Sequence, residues 1–83
     1  MRLPNKVAIV SGGGRNIGRA IALALAQAGA AVVVNVRASG HEADETVAMI
    51  SAAGGKALAC LADVTDRSAV ARMTASALER FGG

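Results

Sequence analysis

The chain has 83 residues, enough for one small domain, and a formal net charge of +3. It is 53% hydrophobic with one Phe and no Trp or Tyr, so its core must be built from Ala, Val, Leu and Ile. The basic residues are scattered and there is no aromatic platform for bases, which argues against a nucleic-acid partner. A single cysteine excludes an internal disulfide and fits a reducing, cytoplasmic setting. Cys60 itself, in L-A-C-L-A, reads as a strand residue packed as a small hydrophobe.

The first element expected is a strand over Lys6–Val10, short and rich in β-branched residues. The apolar run at the N-terminus is too short for a signal peptide. Ser11–Gly18 follows and reads S-G-G-G-R-N-I-G, before a helix over Ile17–Ala28 whose stripe is Ile17, Ile21, Leu25 and Ala28. That helix is too short to span a bilayer and carries Arg19, so no membrane segment is expected. Arg19 reads either as solvent-facing or as a neighbour of whatever the glycine turn holds. A glycine turn between a buried strand and a helix start leaves backbone N–H groups free at the positive end of the helix dipole, which makes a phosphate seat.

Two familiar phosphate motifs fail here. The dinucleotide spacing G-x-G-x-x-G from Gly12 would need a glycine where Ile17 stands, and the P-loop would need Lys and a hydroxyl where Arg19 and Ala20 stand. The spacing that fits is G-x-x-x-G-x-G over Gly12, Asn16 and Gly18, with Asn in the middle slot. Asn is among the non-glycine residues that best accept a positive φ. With Ser11 in the place of Thr, the stretch resembles the T-G-x-x-x-G-x-G turn of the short-chain dehydrogenase/reductase family.

Next, Ala31–Val36 is a nearly all-apolar second strand, as expected when both faces are covered. Ser39 with Glu42 forms a capping box for a second helix, with Ala43, Val47 and Ile50 inward and Gly54-Gly55 as its stop. A third strand spans Lys56–Ala62. Thr65 or Asp66 caps a third helix, whose apolar positions are Val70, Met73, Ala77, Leu78 and Phe81. The β-α-β-α-β-α order predicts an α/β, Rossmann-like, doubly wound parallel sheet, first half only, with strand order 3-2-1. Helices 1 and 2 should cover one face. The first strand would keep a bare apolar edge, so residues 1–83 read as the N-terminal half of a longer NAD(P)-binding domain.

In dinucleotide-binding halves an acid about 20 residues past the glycines takes the ribose hydroxyls and selects NAD. Here the second strand ends N-V-R-A-S, Asn35 to Ser39, with no acid; Arg37 and Arg15 are two guanidiniums suited to a 2′-phosphate. Arg37 reads as a phosphate ligand, favouring NADP over NAD, or as a solvated loop residue. In Ala62–Asp66, A-D-V-T-D, Asp63 can accept from an adenine amino group or satisfy turn amides. His41 has no second ligand at metal spacing and reads as a surface residue.

The resemblance covers the whole chain. It implies cofactor contacts from Gly12, Gly14, Arg15, Asn16, Ile17, Gly18, Asn35, Arg37, Ser39, Asp63 and Val64, and hydride transfer between nicotinamide and a carbonyl or alcohol. It is nearest to the 3-oxoacyl-carrier-protein reductase-like members, and a homo-oligomer is expected of the full-length protein. The family's catalytic Tyr and its Y-x-x-x-K lysine have no counterpart here: there is no Tyr, and Lys6 and Lys56 sit at strand starts. No catalytic residue is therefore expected within 1–83. Two other classes compete with this reading: a non-catalytic nucleotide-binding module, and an assembly piece that pairs through its strand edge.

Overall fold

β-Branched and small residues dominate three short runs, and each run is followed by a helix-forming stretch. The computed structural model describes residues 5–12, 16–37 and 40–82. Gly14, Arg15 and Ser39, three of the expected site residues, lie outside the described residues. The elements are β1 (Val7–Ser11), α1 (Asn16–Gln27), β2 (Ala31–Val36), α2 (Gly40–Ala52), β3 (Ala57–Leu61) and α3 (Arg67–Phe81). All strand pairs are parallel, in the order β1-β2-β3. The registers join Ser11 to Asn35 and Asn35 to Cys60, so the three strands end at one level.

Every residue of β2 is buried. Val32, Val34 and Val36 alternate toward one face, where Ala22 of α1 and Ala43 and Ile50 of α2 complete the packing. Val33 points the other way and meets Met73 and Ala77 of α3, with Phe81 alongside. Complete burial of one such aliphatic side chain contributes about 1.5–3 kcal/mol, so the valines of β2 are the chief apolar stabilisation of the sheet.

The buried stripe of α1 differs from the sequence expectation. Ala22 is fully buried and Leu23, Leu25 and Ala26 pack beside it, whereas Ile17 is 77% and Ile21 46% exposed. The small Ala22 lets the helix approach the sheet closely, which turns the two isoleucines outward. On α3 the same correction applies to Leu78, which is exposed while Met73 and Ala77 are buried.

The stops of α1 and α2 are closed by backbone hydrogen bonds. Ala30 N–H donates to Leu25 O at 3.1 Å and Gly29 N–H to Ala26 O at 3.0 Å. Gly55 N–H to Ile50 O at 2.9 Å and Gly54 N–H to Ser51 O at 3.0 Å repeat the pattern on α2. Asp66 is the cap of α3, accepting from Ser68 N–H at 2.9 Å and Ala69 N–H at 3.2 Å. Among the described residues, no helix is long and apolar enough to cross a membrane.

The turn after α2 is packed against its own helix. A Cβ built on Gly55 would lie 2.7 Å from Ile50 Cγ2 and 3.3 Å from Ile50 O. Ile50 is β-branched and fully buried, so it cannot yield cheaply. Gly55→Ala should therefore destabilise the fold by about 1–3 kcal/mol. The readout is a lower denaturant midpoint with an unchanged slope; an unaltered midpoint would contradict the close approach.

Candidate nucleotide-binding edge

Three parallel strands ending at one level bring three loops together at the carboxyl edge of the sheet, the edge where ligands bind in open α/β sheets. The first loop leaves β1. Gly12 takes φ 71°, and its N–H donates to Asn35 O at 2.7 Å, anchoring the turn on β2. Asn16, the first residue of α1, also takes a left-handed φ of 56°. Asn thus carries the conformation that the middle position of the turn requires, with only a small steric cost compared with other side chains. The first turn of α1 contains no acidic residue, so its N–H groups and dipole face outward without a carboxylate to neutralise them. Gly18 is half-buried in that turn, and the Ile17 side chain projects from it.

The second and third loops face each other. Arg37, immediately past β2, is 82% exposed, and its Nε lies 3.7 Å from Asp63 Oδ2. Asp63 also accepts at Oδ1 from Thr65 N–H at 2.9 Å and from the Thr65 hydroxyl at 2.7 Å. Val64 stands exposed beside it. The edge therefore presents one exposed guanidinium, one half-exposed carboxylate and one apolar side chain around a shallow rim, next to a helix N-terminus.

Asn35 stands apart from this group. The sequence reading places it among the cofactor contacts, but it is 2% exposed and its Nδ2 donates to Cys60 O and Ala62 O, both at 3.2 Å. Its side chain faces the sheet, not a ligand. Arg19 is held by α2. Its Nε donates to Thr46 Oγ1 at 2.9 Å, and its Nη2 to Glu42 O at 3.2 Å and to Glu45 Oε1 at 3.3 Å, which ties α1 to α2. Nothing local in the sequence signals this, because its partners lie in the next β-α unit. Asn35 did have a signal: a lone amide inside V-V-V-N-V.

His41 is exposed, with Nε2 3.7 Å from Glu45 Oε2. Among the described residues, no group of three or more His, Cys, Asp or Glu is placed to hold a metal. A concavity of about 290 Å³ lies at the opposite edge of the sheet, between Lys6, Gly29, Gly54 and Lys56. There α1 and α2 end, so the lysines face negative helix termini and a phosphate gains less than at the start of α1.

The Thr65 hydroxyl, then the Thr65 N–H, hold the Asp63 carboxyl below its ordinary value; desolvation opposes them, and the Arg37 guanidinium adds the smallest lowering. A depressed folded pKa means that the folded chain binds this proton more weakly than the unfolded chain. The resulting stabilisation is complete above the unfolded value of about 3.9 and is lost as pH falls through the lower folded value. Thr65→Val removes the hydroxyl bond, the larger cause, and should raise the Asp63 midpoint in a carboxyl-carbon NMR titration. A midpoint that does not move would remove Thr65 from this role.

Comparison with known proteins agrees with this geometry. A short-chain dehydrogenase/reductase homolog of Bacillus subtilis, YusS, is 46% identical over 82 residues, covering 99% of this chain and 75% of its own length. An uncharacterized oxidoreductase of Methylorubrum extorquens is 48% identical over 81 residues, and this chain spans 33% of it. The structure of a 7α-hydroxysteroid dehydrogenase complexed with NADH and 7-oxo glycochenodeoxycholic acid superposes with a TM-score of 0.89 at 37% identity, over 98% of this chain and 31% of that one. Residues 6–83 match the short chain dehydrogenase family, and the chain belongs to that family.

Proposed function

We propose that residues 1–83 are the adenosine- and pyrophosphate-binding half of an NADP-preferring oxidoreductase. The reaction moves a hydride between nicotinamide and a carbonyl or alcohol carbon. The dinucleotide supplies the hydride chemistry when bound; the described residues bind and orient. The Gly12 turn and the acid-free first turn of α1 suit the pyrophosphate, with Gly14 and Arg15 completing the seat. Asp63 and Val64 take the adenine edge, and Arg37 with Ser39 takes the 2′-phosphate.

The observation that carries the NADP reading is Arg37 at the end of β2. An exposed guanidinium stands there beside the adenine loop, and the stretch Asn35–Ser39 has no carboxylate to accept ribose hydroxyls. The hydroxysteroid dehydrogenase with NADH shows the cofactor type bound by a similar fold, and its 7-oxo steroid is a carbonyl compound. The chain contains no Tyr, so proton transfer is assigned to residues outside 1–83.

The sheet is proposed as the 3-2-1 half of a doubly wound domain. β1 and β3 are both edge strands, and continuation at β1 is supported by three exposed large hydrophobics of the first β-α unit, Ile9, Ile17 and Ile21. A further strand paired to β1 would cover them. We read the whole protein as a cytoplasmic homo-oligomer.

Replacing Arg37 by Asp tests the cofactor assignment. A charge-assisted hydrogen bond contributes about 1.5–3 kcal/mol, so NADPH binding should weaken roughly ten- to a hundredfold while NADH binding changes little. Fluorescence titration with both nucleotides reads the ratio. Equal losses for the two would refute a 2′-phosphate contact at Arg37.

A further inference from the structure

We propose that Asn35 is a positioning residue, one that never touches the nucleotide but fixes the adenine loop at the height of the phosphate turn. The inference rests on the dinucleotide reading above and deepens it. It begins with an anomaly in β2, where an amide stands among valines at a position 2% exposed. A buried amide is retained only when its protons are accepted. Both are, by Cys60 O and Ala62 O on the neighbouring strand.

The location of those two acceptors is informative. Val36 and Leu61 are the last registered pair of β2 and β3, and Ala62 N–H still donates to Val36 O at 3.0 Å. Ala62 O lies one residue past the last registered pair, and Asn35 Nδ2 supplies its donor. Asp63 and Val64 follow at once. The side chain thus carries β2–β3 coupling one carbonyl further than the ladder does, to the root of the adenine loop. The main chain of the same residue holds the other loop, since Asn35 O accepts from Gly12 N–H at 2.7 Å. One residue therefore sets the separation between the turn that would seat the pyrophosphate and the loop that would meet the adenine.

The test measures NADPH binding by titration in the whole chain as expressed, comparing the unaltered protein with Asn35→Leu, Asn35→Thr and Val33→Ala. Leu keeps volume but loses both donors. Thr suits a strand, but its hydroxyl is too short to reach Ala62 O. Val33→Ala opens the core on the same strand and the same face without touching the amide. The expected result is NADPH binding at least about tenfold weaker in both Asn35 variants, with the Thr65 amide exchanging faster. Val33→Ala should keep its affinity and its Thr65 protection at a temperature where it is folded. Equal affinity in the unaltered and Asn35-altered chains overturns the inference, as does an equal loss in Val33→Ala. If Asn35→Leu does not fold, Asn35→Thr decides by the same criteria. Failure of the unaltered chain to bind NADPH overturns the proposed function itself and is thereby distinguished from failure of the inference.

Discussion

A strand with no solvent-facing side persists only when neighbours pair with both its edges and helices cover both its faces. β2 is that strand. Its valines divide alternately between α1 with α2 on one side and α3 on the other. Its edges are taken by β1 and β3. This one constraint explains the parallel order, because each crossover must return a strand to the same direction with a helix laid over a face. It also explains the candidate edge: three strands in register about β2 release their loops at a common level.

The chemistry of that edge comes from what the loops leave uncompensated. The first turn of α1 has no acid to offset its dipole, while the first turn of α2 carries Glu42. The two starts therefore present different fields to an anion, and the favourable one is where the glycine turn lies. On the opposite rim Arg37 has Asp63 within 3.7 Å, but both are substantially solvated, so the pair is weak.

Much of this was legible in the sequence because it is local or periodic. The strand-turn-helix around Gly12, Asn16 and Gly18, the apolar run of β2 and the Asp66 cap depend on neighbours a few residues away, and each appears where its pattern places it. The left-handed φ of Asn16 matches the glycine slot it fills in the turn, a conformation that Asn tolerates. What escaped depends on three dimensions. Arg19 was ambiguous because its acceptors Thr46 and Glu45 lie on another helix. The orientation of Ile17 and Ile21 was misjudged because hydrophobicity marks an apolar stripe without saying which part the sheet takes. Asn35 entered the expected contacts through the resemblance, whereas its side-chain acceptors, Cys60 O and Ala62 O, lie on β3 and just beyond it, out of reach of any pattern local to β2.

The pairings of β2 also govern how the edge comes into being. Val7 meets Ala31 and Val32 meets Ala57, so each ladder joins residues some 24 or 25 positions apart. Closing such spans loses chain entropy before any ladder bond repays it, which makes parallel sheets slow to form relative to helical bundles. Neither ladder alone buries β2 on both edges, so neither is strongly favoured until the other is present. The two closures are therefore coupled, and the loop after β1 and the loop after β3, one at each flank of β2, come to a common level together. The shared level of the loops is a property of the finished sheet.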